Sequence, residues 1–190
     1  MARPLDPAIR ASLRDKAIDY VLAHGIVDFS LRALAKPLGT SARMLVYHFG
    51  SREGLMREIL MGLRQREDAR IGAWMSEGEK APTLSDFLHW YWQEMSAPRA
   101  RPAVRLIFEL YALALREPRA YPGVLTDPLA YWRKLARETG VATKRRDAEA
   151  TLLLAASRGL LLDLCATKDS KRIDSAMTLL VGLLNDAEGR

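Results

Sequence analysis

The sequence predicts an all-α protein, and three observations carry that prediction. Apolar residues recur every three or four positions along most of the chain. Alternating apolar and polar runs, the mark of half-buried strands, are nearly absent. Ser, Thr and Asp stand ahead of the periodic stretches, and glycine often follows them, which is how helices begin and end. Of the 190 residues, 49% are apolar, enough for a core and too many for a disordered chain.

The elements follow in order. Asp6 caps a helix with Pro7 at its first position; Ile9, Leu13, Ala17 and Val21 line one face and Gly25 ends it. Ser30 caps a second helix carrying Leu31, Leu34, Ala35 and Leu38, stopped by Gly39. Pro37 lies inside that pattern; it has no N–H to offer Ala33, so helix 2 should be short or kinked with the turn after it intact. A third short helix covers about 42–48, and Ser51 caps a fourth that runs to about Met75. The polar break Glu77–Pro82 is a candidate boundary. Beyond it, Thr83 and Asp86 form a capping box for a helix with Phe87, Trp90, Tyr91 and Met95. Further helices are expected over about 101–116, from an Asp127 cap to Gly140, over about 144–166, and along the stripe Ile173, Met177, Leu180, Leu184.

Composition narrows the function. The opening MARPLDPAIR lacks the apolar core of a signal peptide. The apolar run Leu152–Ala166 is interrupted by Arg158 and Asp163 and reads as too short and too charged to span a bilayer. Cys165 is the single cysteine; it excludes an internal disulfide, fits a reducing cytoplasm and is expected to be a small core residue. Net charge is +6, a weak pointer to a polyanionic partner. Residues 1–80 hold 13 basic against 10 acidic residues, whereas 97–146 hold 11 against 4. Charge alone does not locate a nucleic-acid site. His24, His48 and His89 have no metal-ligand spacing, and there is no phosphate-binding glycine loop or nucleophile elbow. No cofactor and no metal are expected.

The informative segment is LAKPLGTSARMLVYHFGSREGL, Leu34–Leu55. Two short helices joined by Gly39-Thr40-Ser41 match a helix-turn-helix plan, with Ala35, Leu38 and Leu45 as its small core. Such a plan needs a short, exposed second helix that enters a major groove. In Ala42–His48, Arg43 can grip a guanine edge with two hydrogen bonds. Thr40, Ser41, Tyr47, His48 and Ser51 can donate to phosphate oxygens, and the N-termini of helices 3 and 4 offer amides.

This segment resembles the DNA-binding domain of the tetracycline-repressor (TetR) family of transcriptional regulators, through Leu34-Ala35, Leu38-Gly39-Thr40-Ser41, Leu45, Tyr47-His48-Phe49, Ser51 and Gly54-Leu55. The resemblance covers about 30–60 closely, and about 9–60 with helix 1. It implies a three-helix DNA-binding domain over 1–50, with a long helix 4 leading into a ligand-binding and dimerisation bundle over 51–190, about nine helices in all. It also implies phosphate contacts from Tyr47, His48 and Arg52, the last standing where a lysine is common, and groove-facing positions at Met44 and Val46. Phe49 would pack the small domain against helix 4. Val46 is smaller than the usual residue there and could offer a methyl contact to thymine.

In the same resemblance the last two helices pair across a two-fold axis, and Leu153, Leu160, Leu164, Met177, Leu180 and Leu184 are the expected dimer contacts. The aromatic-rich middle suggests a pocket for a small, largely apolar effector, with Trp90, Tyr91, Met95, Phe108, Tyr111, Tyr131 and Trp132 as its wall. His89, Glu109 and Arg158 are candidate polar anchors, and an ion pair between the last two is a hypothesis, because Arg158 interrupts an apolar run. The expected protein is a bacterial, cytoplasmic, nucleoid-associated homodimer. It represses from a palindromic double-stranded operator, releases it on binding its effector, and makes no use of a membrane. The alternatives are a helical adaptor or interaction protein without DNA binding, and a small enzyme.

Overall fold

A computed structural model of the chain describes residues 6–27, 29–77, 82–139, 141 and 144–187. Among these residues there are nine α-helices and no strand: α1 Pro7–His24, α2 Leu31–Ala35, α3 Ala42–Phe49, α4 Arg52–Ser76, α5 Leu84–Ser96, α6 Arg101–Arg116, α7 Asp127–Glu138, α8 Arg146–Thr167 and α9 Ser170–Ala187. Compactness divides the chain into two units, 1–74 with 106–124, and 75–105 with 125–190. The expected break at Glu77–Pro82 lies mostly in residues outside the described ones, as does the expected terminator Gly140.

The first unit begins with the predicted cap. The Asp6 carboxylate accepts the Ala8 N–H at 2.9 Å, satisfying an amide the new helix leaves orphaned. Leu13, Ala17, Ile18 and Val21 are buried on one face of α1, while Ile9, further out on the expected stripe, is exposed. Two ion pairs link α1 to α4, Arg10–Glu58 and Asp19–Arg66, each 2.6 Å. Both are largely in water, so each is worth well under about 1 kcal/mol. The apolar contacts set the packing: Leu55, Met56 and Ile59 of α4 are essentially inaccessible.

Pro37 acts as expected. The regular part of α2 stops at Ala35. The Leu38 N–H still reaches the Leu34 carbonyl at 3.1 Å, so the chain keeps its helical course past the proline. It then closes with two bonds, Gly39 N–H to Lys36 O at 3.1 Å and Thr40 N–H to Ala35 O at 2.9 Å. This is a Schellman motif, which needs a left-handed residue, and Gly39 supplies it with φ +68°. Ser41 then caps α3 through its hydroxyl, which accepts the Met44 N–H at 3.2 Å. Three residues thus separate the end of the Leu34–Leu38 turn from α3, and the angle between the two helices is fixed locally.

The junction of α3 with α4 is tighter still. Ser51 caps α4, accepting the Gly54 N–H at 3.0 Å. A Cβ on Gly54 would lie 1.9 Å from the Phe49 carbonyl oxygen. No side chain fits there.

The second unit is built on α8, which packs against α5, α7 and α9. Phe87, Leu88, Trp92, Trp132, Leu135, Ala150, Leu161 and Ile173 form its core. Thr83 and Asp86 make the predicted capping box on α5, Thr83 accepting the Asp86 N–H and Asp86 accepting the Thr83 N–H. Trp92 Nε1 donates to Asp174 Oδ1 at 2.9 Å, tying α5 to α9. Arg172 closes the α8–α9 turn on Asp163 at 2.9 Å, and that hydrogen bond holds the Asp163 carboxyl below the usual carboxylate range.

Three expectations are corrected here. Asp127 is the first helical residue of α7, not its cap; that place falls to Thr126, whose side chain makes no capping bond. Cys165 is exposed, not a core residue. Helix α8 is, by length and composition, long and apolar enough to cross a bilayer. Its packing against three helices, with Arg158 and Asp163 in its middle, explains the apolar composition as core on one side. Of the expected dimer contacts, Leu153, Met177 and Leu184 are buried within the chain's own unit, and Leu160, Leu164 and Leu180 are half-buried. Three of these residues thus face inward, and three stay partly open on α8 and α9.

Two glycine variants separate turn strain from steric exclusion. Gly39→Ala, with open space around it, should cost about 1–2 kcal/mol for the left-handed backbone alone. Gly54→Ala must displace backbone and should cost roughly 3 kcal/mol or more. Urea unfolding of both variants checks the order; a Gly54→Ala protein as stable as Gly39→Ala contradicts the tight junction.

Candidate functional site

Helix α3 is amphipathic, and its two faces have different fates. Leu45 is fully buried, and Phe49 nearly so. The Phe49 ring also carries the Arg10 guanidinium 5.7 Å from its centre. On the other face Arg43, Met44, Val46 and Tyr47 are exposed. Successive helical residues turn by about 100°, so these four side chains share one arc of the surface, ordered Val46, Arg43, Tyr47, Met44. Arg43 makes no hydrogen bond or ion pair among the described residues. It is a free cation at the centre of the exposed arc.

The N-termini differ from expectation. The Ser41 hydroxyl already accepts from Met44 N–H, and Ser51 from Gly54 N–H. Glu53 competes for the first turn of α4: its own backbone N–H, then the Ser51 hydroxyl, stabilise its charged form and lower its pKa. The start of α4 therefore carries a carboxylate of its own. The Ser51 hydroxyl proton is thus turned to Glu53, the Ser41 hydroxyl keeps its proton for an oxygen acceptor, and Thr40 beside it is half-buried.

Two residues expected at phosphates are placed otherwise. His48 is 5% exposed, and neither ring nitrogen has a hydrogen-bond partner among the described residues. Its ring lies edge-on to Tyr47 at 5.1 Å and tilted to Phe49 at 6.3 Å. Position 48 lies between Met44 and Leu45 around α3, at the margin of the exposed arc, and its ring is buried there. Arg52 donates from Nε to the Phe29 carbonyl at 3.1 Å and stacks over the Phe29 ring at 5.4 Å. It pins the loop before α2, with its guanidinium only partly left to solvent. Sequence reading passed over Arg32 and Lys36, exposed on and just after α2, whose side chains make no hydrogen bond or ion pair among the described residues. Their only signal was charge at exposed positions beside the turn.

The candidate effector residues are divided between the two units. Phe108, Glu109 and Tyr111 belong to the first unit, and Trp90, Tyr91, Met95, Tyr131, Trp132 and Arg158 to the second. In the second, Phe87, Trp90, Tyr91 and Trp132 form a packed cluster with centroids 5.3–5.8 Å apart. Trp132 and Met95 are buried. A cleft of about 10 Å³ lies among Met95, Ser96, Arg101, Val104, Leu161, Leu164 and Cys165, room for no more than a water molecule. Ser157 on α8 was missed: it is 1% exposed and its hydroxyl has no hydrogen-bond partner among the described residues.

Glu109 has a definite structural task. Its Oε2 accepts the Ile26 N–H at 2.8 Å, just after α1 ends. Gly25 caps α1 with φ +81°, and a Cβ there would lie 2.6 Å from the same oxygen. The carboxylate and the bare glycine fit each other.

Residues 13–59 match the family model of bacterial regulatory proteins of the tetR family. The match spans α1, the turn, α3 and the start of α4. Within residues 13–59 the chain is therefore similar to the tetR family of bacterial regulatory proteins. Over 55 residues it is 40% identical to the HTH-type transcriptional regulatory protein RaaS of Mycobacterium tuberculosis, 29% of this chain and 26% of that protein. The chain thus matches about a quarter of the length of that relative. Fold likeness extends much further. A transcriptional regulator from Rhodococcus sp. Rha1 superposes with TM-score 0.72 over 94% of this chain and 96% of its own, at 19% identity. The multidrug binding protein EbrR, solved with imidazole, gives 0.65 over 92% and 90%, at 27% identity.

His48→Leu tests the burial. It replaces two unpartnered nitrogens with an apolar side chain of similar volume, so stability should hold or rise by up to about 1 kcal/mol. Thermal unfolding giving a loss above about 2 kcal/mol would contradict the environment described.

Proposed function

We propose that the chain is a homodimeric, sequence-specific repressor that releases its operator when it binds a small, largely apolar molecule. The observation that carries this reading is the exposed arc of α3: a free arginine, with Tyr47 beside it, on a helix held by a helix-turn-helix that matches the tetR family. Residues 1–50 read DNA, and 51–190 bind the effector and pair with a second copy. Arg43 takes a guanine edge; Thr40, Ser41, Tyr47 and Ser51 take phosphates, with Arg32 and Lys36 adding charge. A two-fold dimer matches a palindromic operator with half-sites about one turn apart. Action at the nucleoid follows from binding that operator.

Pairing is supported by apolar surface that the chain itself leaves open. Leu152 (60% exposed) and Leu162 (52%) lie on α8, Leu179 (65%) and Leu183 (59%) on α9. With Ala155, Gly159 and Ala166 on α8, the spacing repeats every three and four residues, and nothing lies within 4 Å of a Cβ placed on Gly159 or Gly182. Contiguous apolar stripes with small residues let two helices approach closely and mark an interface.

For the effector, EbrR is also solved with proflavin, at 25% identity and TM-score 0.62. That supports a planar aromatic compound as a first probe of the cluster around Phe87, Trp90, Tyr91 and Trp132. A ligand can lower DNA affinity only by preferring the dimer geometry that DNA does not. The packed cluster therefore has to open to admit it.

Anisotropy titration with duplex DNA flanking the chain's own gene tests the core of the proposal. Tight binding weakened by salt and by proflavin is expected; no sequence preference at low salt would refute the regulator reading. In the same assay Lys36→Ala should weaken all duplexes alike and reduce the salt slope by about one, whereas Arg43→Ala should relax preference at one base pair. Leu162→Glu with Leu179→Glu should give a folded monomer by light scattering and circular dichroism. Leu153→Glu should unfold the chain, because that leucine is interior.

A further inference from the structure

The exposed arc of α3 carries more than its arginine. Met44 and Val46 are 40% and 45% exposed, and they stand on either side of Arg43. Met44 is C-terminal to Arg43 by one residue, about 100° around the helix; Val46 is about 60° round on the other side. Neither side chain has a hydrogen-bond donor, and the thioether is at best a weak acceptor. Large apolar side chains held open on a helix built to enter a groove expose surface that water disfavours. The α3 interior is filled by Leu45 and Phe49, and Met44 and Val46 leave two-fifths or more of their surface outside it.

We infer that Met44 and Val46 are specificity residues that read thymine methyl groups, so that the operator half-site places thymine beside the guanine taken by Arg43. This rests on the DNA-binding reading above. The reason is chemical exclusion. In the major groove adenine and cytosine present amino donors, guanine presents N7 and O6 acceptors, and thymine alone presents a C5 methyl. An aliphatic side chain pressed on a donor or acceptor strips its water and returns no hydrogen bond. Against the methyl it buries apolar surface on both partners. Val46 is the sharper reader, because its β-branch leaves one preferred rotamer in a helix and its two methyls stay fixed. Met44 is flexible and adapts to the neighbouring step.

Uracil substitution isolates this contact, since it removes the methyl and leaves every pairing and groove hydrogen-bonding atom in place. The full chain is first used to select its preferred duplex from random double-stranded DNA. That duplex is then remade with deoxyuridine for each thymidine in turn, and affinities are measured by anisotropy. At one or more thymines flanking the selected guanine, binding should weaken about fourfold per methyl lost. The loss should shrink to near nothing for Val46→Ala or Met44→Ala, whichever faces that base. Both residues are solvent-exposed and alanine favours helix, so the variants keep the fold. The inference is overturned if no single uracil changes affinity, or if the loss persists undiminished in both alanine variants. Selection that returns a defined duplex with neither result in its favour removes this inference and leaves the repressor; selection that returns no preferred duplex removes the repressor itself.

Discussion

The placing of α3 depends on one close approach, that of Gly54 to the carbonyl oxygen of Phe49. Helix α4 starts so soon after α3 that its first turn has to lie against the last turn of α3. Ser51 caps that start, and Leu55, Met56 and Ile59 continue from it into the interior. The direction of α3 is therefore set from both ends: by the left-handed Gly39 turn before it and by the bare Cα of Gly54 after it. A helix of eight residues has little stability of its own. Here its orientation is imposed by neighbours, and its outer face is free to be chosen for contact alone.

Much of this was legible in the sequence, because the signals are local. Asp6, Ser30, Ser41, Ser51 and the Thr83–Asp86 pair cap where their side-chain chemistry says they should. Pro37 shortened α2 because a missing N–H is felt within one turn. The residues misjudged are those whose role is settled at a distance. Helix α8 is apolar around most of its circumference, so it has two candidate inner faces, and which one turns inward depends on α5, α7 and α9. Hence Leu153 is interior while Leu152, one residue away, is at the surface. Asp127 looked like Asp6, with proline following each, but the chain before α7 turns so that Thr126 takes the cap position.

The candidate DNA site shows the same division. Arg43, Met44, Val46 and Tyr47 were readable from helical phase once Leu45 was taken as inward. His48 and Arg52 were assigned by residue type and by family pattern; the fold buries the first and leaves the second half-buried. His48 bears a desolvation cost that no partner among the described residues returns, a feature selected by something other than stability. Arg52 spends its guanidinium on a loop carbonyl and an aromatic face. Charge counting would have favoured 97–146, but several of its cations are taken up in ion pairs, among them Arg99 with Glu94, Arg133 with Asp147 and Arg145 with Glu149.

The carboxylate of Glu109 on the Ile26 amide bears on how such proteins can be recombined. A boundary drawn after residue 50 looks natural in the sequence, yet the fold closes the end of α1 with a side chain that lies 83 positions later. A DNA-reading segment transplanted on its own would carry an amide without its acceptor and a glycine without the oxygen that fills the space beside it. Exchange of specificities between relatives is then governed by pairs of positions, 25 with 109, that have to travel together. The heritable module is discontinuous in the chain.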